Sequence, residues 1–556
     1  MPMTKKLLGQ GGMTFTNAFV TNPVCCPSRA SILTGLYPHN TQVFNNSRRP
    51  GDGGCSPWRF LTFLEHYGYN RFLHQHNYHP IDDQAQRELD LGKDWQLVYD
   101  NEGNSDPPKG VRQTFNEKLL RHSRASNATG HEYMTFHSGK YHNEYCCYGP
   151  KGWDVWKTHD KNSKFYNYKI IDENWQEKWY GMREDEYLTD KIKDWSLEFL
   201  KNYQEFAKKN VQKGQQTERE GNVAPFLMVL SVPAPHNPFQ AAPRHSNATQ
   251  HLPPAPRTPN FGRCGAENSD KHTPVNRATC LSYSQLKHID ESYRGRLGTL
   301  MSVDETIHQI HEFIDKNMSM LDNTYFIFTS DNGYHLGQNG LMYEKRMPYE
   351  TDIRVPFYIK GPGIRPNSFY DGIVLNIDIA PTLVDLAKGF VPPHVDGRSL
   401  LPVLFSKSNP NDAIRFVDER FLVEYYGEAY GEHNRHLAIH TSNGEHPAYE
   451  HTPADAWNNT YKCIREIERT KGDVLGKIYC EFICFDAGKV PSPCPEGSVE
   501  ANGEFYNLDH DPWQIKNQWH SLPQQQISKY RNLIRSFSTC QTAVNCDKFR
   551  YGQVDL

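Results

Sequence analysis

The chain has 556 residues, a formal net charge of −4, 12% aromatic and 37% hydrophobic residues. That is enough apolar material for one large domain with a smaller companion. The near-balanced charge, without a long basic run, excludes nucleic acid as an expected partner. No stretch of about 18 apolar residues occurs, so no transmembrane helix is expected.

The first twenty residues carry Lys5 and Lys6 but no apolar core of signal-peptide length. Two features nevertheless point to an oxidising compartment, and so to a signal peptide lost from the start of this chain. N-x-S/T sequons stand at Asn45, Asn127, Asn247, Asn317 and Asn458, and there are 13 Cys residues. Cys540 with Cys546 could close a small loop, and Cys463 with Cys480 is a second plausible pair. An odd total leaves at least one thiol for another use. The 26 His residues are compatible with work near acidic pH, and equally with a His-rich surface.

In chain order, the first informative segment is Cys25-Cys26-Pro27-Ser28-Arg29-Ala30-Ser31-Ile32-Leu33-Thr34-Gly35. By composition alone it is a pair of buried or disulfide-bonded cysteines ahead of a helix. Residues 74–132 are polar and weakly periodic, and read as a surface insertion or as a stretch outside the working protein. Leu188, Ile192, Trp195 and Phe199 recur at helical spacing, as do Val303, Ile307, Ile310 and Ile314. Two apolar runs, 225–233 and 323–330, end in Ala234-Pro235-His236 and Asp331-Asn332-Gly333. Both read as buried strands that deliver side chains at their carboxyl ends, where open α/β sheets place their sites. Residues 374–387 read as strand, turn and helix, with Pro381 near the helix start. Beyond about residue 405 short strand candidates and most of the paired-looking cysteines gather. Strands alternating with helices predict an α/β fold with a mostly parallel sheet.

The spacing C-x-P-S-R followed by L-T-G resembles the signature of the formylglycine-dependent sulfatases, and the likeness runs over nearly the whole chain except about 74–132. Within the family it is nearest the glucosamine-6-sulfatase branch, then the extracellular heparan sulfate 6-O-endosulfatases. Cys-Cys-Pro-Ser-Arg with Pro38-His39-Asn40, Lys164-Phe165-Tyr166-Asn167-Tyr168, and Asn458-Asn459-Thr460-Tyr461-Lys462-Cys463 carry it. The resemblance implies an alkaline-phosphatase-like α/β/α sandwich over 1–405 and a C-terminal α+β subdomain over 406–556. It implies that a formylglycine-generating enzyme oxidises Cys25 to an aldehyde, whose hydrate is the nucleophile. Arg29 would hold charge beside it. Lys140 in Gly139-Lys140-Tyr141 would stand beside the formylglycine with His142 as its partner, His236 in Ala-Pro-His-x-Pro would reach the sulfate or the leaving oxygen, and Lys345 would bind the sulfate. Asp331 and Asn332, with the modified Cys25, would ligate calcium, magnesium being second choice.

The implied activity is removal of 6-O-sulfate from N-acetylglucosamine in heparan or keratan sulfate, in the lysosome or, alternatively, outside the cell. The rivals are a heparan endosulfatase, a catalytically impaired sulfatase-like binding protein, and a phosphatase or phosphodiesterase on the same fold. The impaired reading is motivated by one departure. The family's Asp-Asp metal pair, at the end of a first strand ahead of the cysteine motif, has no counterpart here, and Asp82-Asp83 lies after that motif without a preceding strand. The expectation is therefore weak calcium binding, little activity and an open sheet edge.

Overall fold

The computed structural model describes residues 1–46, 133–143, 153–160, 163–212, 225–388, 391–406, 418–427, 459–469, 474–482, 484–485, 491–492 and 503–551. The segment 74–132, with Asp82, Asp83 and Asn127, lies outside them, as does Asn458.

The elements that position the site run in this order: β1 (Met13–Phe19), α1 (Cys25–Thr34), β2 (Met134–Gly139), β3 (Val155–His159), β4 (Tyr168–Asp172), β5 (Glu177–Tyr180), α2 (Leu188–Gln212), β6 (Phe226–Ser231), α3 (Tyr283–Lys316), β7 (Phe326–Phe328), β8 (Tyr358–Lys360), β9 (Ser368–Leu375) and α4 (Ile379–Leu386). The helical periodicities fall in α2 and α3. Leu188, Ile192 and Phe199 are buried on one, Val303, Ile310 and Ile314 on the other. Ser282 and Gln285 close a capping box at the start of α3, so two of its first free N–H groups are satisfied.

The strands form two half-sheets, ordered β5-β4-β3-β2-β6 and β7-β8-β1-β9. The α/β class holds, but the sheets are mixed rather than mostly parallel. β2 runs parallel to β3 and β6, and β1 parallel to β9, whereas β3–β4, β4–β5, β7–β8 and β1–β8 are antiparallel. Connections as short as 173–176, between β4 and β5, cannot cross over a sheet face, so they force antiparallel neighbours.

A second expectation fails as well. β6 and β7 are not fully buried; every residue of both is half-buried, although their sequences are FLMVLS and FIF. Each ends its half-sheet and has a hydrogen-bonded neighbour on one side only among the described residues. One face is nonetheless covered. Phe226, Met228, Leu230 and Phe326 pack on a cluster of Phe136, Phe199, Leu200, Ile310 and Ile314. Helices α2 and α3 thus bridge the two half-sheets from one side.

The C-terminal part adds the strands β10 (Asp418–Tyr425), β11 (Tyr461–Arg469), β12 (Val474–Phe482), β13 (Cys484–Phe485), β14 (Pro491–Ser492) and β15 (Glu504–Asn507), and the helices α5 (Gln524–Ser538) and α6 (Ala543–Arg550). β10, β11, β12 and β15 make one antiparallel sheet. Its core is continuous with that of β1 and β9, and Phe19 meets Phe421 at 5.1 Å between ring centroids. Cys463–Cys480 and Cys540–Cys546 are bonded as expected, and Cys264–Cys280 is a third pair not foreseen.

Two buried ion pairs cross between the parts. Arg550 on α6 forks onto Asp378 at 3.0 and 2.7 Å. His39 Nδ1 meets Glu424 Oε1 at 2.7 Å, while its Nε2 faces the Cys540 carbonyl at 3.2 Å. Burial opposes charge on His39, but the Glu424 carboxylate outweighs it and the pKa is raised; Glu424 in turn is lowered. Nearby Asp396 is pushed up to about 6, chiefly by burial.

For a His with a raised folded pKa, stabilisation is complete below its unfolded value of about 6.5 and is lost as pH rises through the folded value. Asp396 acts in the same sense, losing stability as pH rises from about 4 to about 6. Urea midpoints should therefore be higher at pH 5.5 than at pH 8.5, and His39→Gln should flatten the upper part of that slope. An unchanged slope in His39→Gln would show that the pair carries no charge. Independently, Asp378→Ala should destabilise by about 3–5 kcal/mol, the usual result of leaving one partner of a buried pair uncompensated.

Candidate functional site

Cys25 opens α1 because Val24 before it is extended (φ −140°, ψ 150°) and the helix ends at Gly35 in the left-handed region. Asn22 Oδ1 accepts from Val24 N at 3.1 Å and fixes the entry. Cys25 therefore sits in the first turn, at the positive end of the helix dipole. It is the free cysteine among the described residues, and it is buried. Its neighbour Cys26 is held in a disulfide. The two adjacent cysteines are thus chemically distinct.

Arg29 lies one turn along α1, on the same face as Cys25. Its Nε donates to Asp331 Oδ2 at 2.7 Å and its guanidinium also donates to the Lys140 carbonyl at 2.7 Å. This joins α1, the loop after β7 and the end of β2. Lys140 follows Gly139, whose φ is +100°. A Cβ on Gly139 would stand 2.1 Å from the Ser231 carbonyl oxygen, to which Lys140 N donates at 2.8 Å. Only glycine permits that turn between parallel strands β2 and β6. Lys345 is buried and its Nζ lies 3.4 Å from His236 Nε2. Strand ends β2, β6 and β7 thus bring Lys140, His236 and Asp331 together with Arg29 and Lys345.

The charges fit an anion. Burial pulls Lys140 down to about 8, partly offset by negative charge on Cys25. Burial also opposes charge on Lys345, but Cys25 and Glu344 outweigh it and the pKa is raised. Asp331 is pushed up by burial and pulled down further by Arg29, Lys140 and Lys345, so it stays ionised. His142 is lowered to about 3 by burial, then by Arg29 and Lys140, and is neutral. His137 and His159, at or near the carboxyl ends of β2 and β3, are lowered to about 3 chiefly by burial, with Arg29 acting on both and Lys140 on His159. His236 is also neutral, through burial and the two lysines. Its Nδ1 faces the Asn237 carbonyl at 2.9 Å and so carries the hydrogen, leaving Nε2 to accept from Lys345. The result is three cations, one carboxylate and a set of uncharged imidazoles around Cys25.

For a divalent cation the described residues are insufficient. Asp331 and Asn332 offer oxygens, but Arg29 already holds Asp331 Oδ2, and the Asn332 amide nitrogen is turned onto the Gly333 carbonyl at 2.7 Å. Among the described residues no group of three or more His, Cys, Asp or Glu could hold a metal. Calcium takes six to eight oxygens. These residues alone do not make its shell.

Some residues of the site were not foreseen. Arg296 on α3 donates to the Pro235 carbonyl at 2.9 Å and lies 3.9 Å over the Tyr334 ring, bracing the loops of His236 and Asp331. His159 ends β3 beside Lys140, and only a strand assignment for 155–159 would have signalled it. Of the sequons, Asn247 and Asn317 are exposed. Asn45 is 2% exposed, which leaves no room for a glycan where it stands.

The family described as Sulfatase matches residues 1–390, and one described as N-sulphoglucosamine sulphohydrolase, C-terminal, matches residues 337–455. The chain is 33% identical to N-acetylglucosamine-6-sulfatase of Capra hircus over 97% of this chain and 79% of that protein. It is 33% identical to that of Homo sapiens over 97% and 80%. It is 34% identical to the putative extracellular sulfatase Sulf-1 homolog of Caenorhabditis elegans over 73% and 46%. A structure solved in complex with its substrate, D-glucosamine-2-N,6-O-disulfate, superposes with a TM-score of 0.59 at 19% identity, covering 100% of this chain and 93% of the other. A putative sulfatase of Bacteroides fragilis superposes with a TM-score of 0.55 at 15% identity, covering 99% and 92%. Together with the family match over residues 1–390, these likenesses lead to one conclusion: the chain belongs to the sulfatase family, the hydrolases of sulfate esters.

Proposed function

We propose that the chain removes 6-O-sulfate from N-acetylglucosamine in glycosaminoglycans such as heparan and keratan sulfate, with Cys25 converted to formylglycine by a formylglycine-generating enzyme. The observation that carries this reading is the convergence of Arg29, Lys140 and Lys345 on a free cysteine in the first turn of a helix. The likeness to N-acetylglucosamine-6-sulfatases supports the choice of sugar. A hydrated aldehyde at position 25 supplies two hydroxyls on one carbon, one to attack sulfur and one from which the carbonyl can re-form as sulfate leaves.

The other residues have defined tasks. Lys140 and Lys345 hold the sulfate oxygens in a cleft of low dielectric, where fixed charge is most effective. Arg29 keeps Asp331 ionised and in place. His236 Nε2 orients the ammonium of Lys345, 3.4 Å away, and that ammonium gives a proton to the departing sugar oxygen. His142, neutral and buried beside Lys140, adds hydrogen-bonding capacity without further positive charge.

Sulfatases generally use a divalent metal. We propose calcium ahead of magnesium, with Asp331 and Asn332 as two of its oxygens. We place the boundary between catalytic part and C-terminal subdomain near residue 405. We propose a lysosomal location, with an extracellular one as the alternative.

Peptide mass spectrometry of chain made in a secretory host should find the aldehyde at position 25 and an intact disulfide at Cys26. An unmodified thiol in active material sinks the mechanism. Lys345→Ala and His236→Ala should each lower turnover of 6-sulfated N-acetylglucosamine by about two to four orders of magnitude. A loss under about threefold in both would place the sulfate elsewhere. Because Lys140 is pulled down to about 8, sulfate inhibition should weaken as pH rises through that value, and Lys140→Arg should move the break upward. Calcium should bind weakly, with a dissociation constant of about 1 mM or above given so few oxygens among the described residues; saturation at micromolar calcium would show that other carboxylates complete the site.

A further inference from the structure

The sulfate-binding lysine sits on a distorted peptide. Arg346, next to Lys345, has φ +95°, a conformation that a side chain as large as arginine adopts only when its surroundings impose it. Those surroundings come from the C-terminal sheet. The Arg346 carbonyl accepts from Asn459 Nδ2 at 3.2 Å and from the Tyr461 hydroxyl at 3.0 Å. On the other side, Met347 N donates to Asp352 Oδ2 at 2.8 Å, and Asp352 is itself met by His335 Nδ1 at 3.0 Å. Lys345–Met347 is therefore gripped from both parts of the molecule.

Asn459 is held in turn. Its Oδ1 faces His272 Nε2 at 3.1 Å, and His272 Nδ1 faces Glu504 Oε1 at 2.7 Å. Glu504 also accepts from the hydroxyls of Tyr349 at 3.1 Å and Tyr506 at 2.7 Å. His272 is stacked on Phe482 at 4.2 Å. Asn459, Tyr461, His272 and Glu504 are each 1% exposed or less. A carbonyl must be met by a donor, so the Asn459 amide has one orientation, NH₂ toward Arg346 and oxygen toward His272.

We propose that Asn459 is a positioning residue for Lys345. It reads the rigid Glu504–His272 pair on one side and fixes the Arg346 carbonyl on the other, so that the C-terminal sheet sets where the Lys345 ammonium stands. Asn459 does not touch substrate; it acts through the peptide next to the lysine. The inference rests on the reading of Lys345 as a sulfate ligand.

The test is a double-mutant cycle on the formylglycine-bearing full chain, read as kcat, KM and inhibition by inorganic sulfate with 6-sulfated N-acetylglucosamine. Asn459→Ala keeps the sequon at Asn458, since the middle residue is free. Asn459→Asp keeps an oxygen toward His272 but offers no donor to Arg346, so it separates positioning from packing. Both variants should lower kcat and weaken sulfate inhibition by about 10- to 100-fold, the scale of a misplacement of about 1 Å, and Tyr461→Phe by less. In the Lys345→Ala background Asn459→Ala should change kcat by less than about twofold, because a residue acting only through a missing partner has nothing left to position. Full, additive loss in that background overturns the proposal, as does wild-type kcat in Asn459→Asp. If Lys345→Ala alone leaves turnover unchanged, the sulfate pocket itself is misassigned and the proposal falls with it.

Discussion

The contact on which the site depends is the ion pair between Arg29 and Asp331, 2.7 Å from Nε to Oδ2. Three cations, Arg29, Lys140 and Lys345, crowd one cleft and repel each other. Asp331 is the carboxylate that all three face, and they hold it ionised against the pull of burial. A second guanidinium donor, on Nη1, goes to the Lys140 carbonyl, so the helix bearing Cys25 is indexed to two strand ends at once. Removing Asp331 would leave three poorly compensated cations in a cleft where desolvation is expensive.

Around this pair the histidines do something less obvious. His137, His142 and His159 are kept uncharged by burial and by the neighbouring cations. Had they been protonated, the cleft would hold six positive charges and its own folding would be penalised. As neutral rings they fill space, stack (His137 on Trp156 at 4.4 Å) and leave the electrostatic work to the lysines and Arg29.

What could be read in advance was local. Cys25 to Gly35 is a contiguous motif, and its spacing is meaningful because a helix turn puts positions 25 and 29 on one face. β6 and β7 were visible as apolar runs ending in His236 and Asp331, and α2 and α3 as periodic stripes. What could not be read depends on contacts distant in sequence. Whether β6 is buried depends on who stands beside it, which six residues of FLMVLS do not encode. The mixed strand directions follow from which connections are short, and the role of Asn459 depends on Arg346, 113 positions away. Arg296 is one charged residue on a long helix until its guanidinium is found over Tyr334. The pairing of Cys264 with Cys280 is local by comparison, yet nothing in their flanks distinguishes them from other cysteines.

The uninterrupted core between β1 and the C-terminal sheet has a consequence for inheritance. Phe15, Phe19 and Tyr370 on one side and Phe421, Tyr461, Tyr479 and Phe537 on the other belong to a single hydrophobic cluster. Neither side can drift alone, since a change of shape at Phe421 is felt at Phe19. A lesion far from the cleft, in a strand that contributes no ligand to sulfate, would then present as an enzyme defect. Recombination that exchanged the C-terminal part between relatives would succeed only where both faces of that seam travelled together.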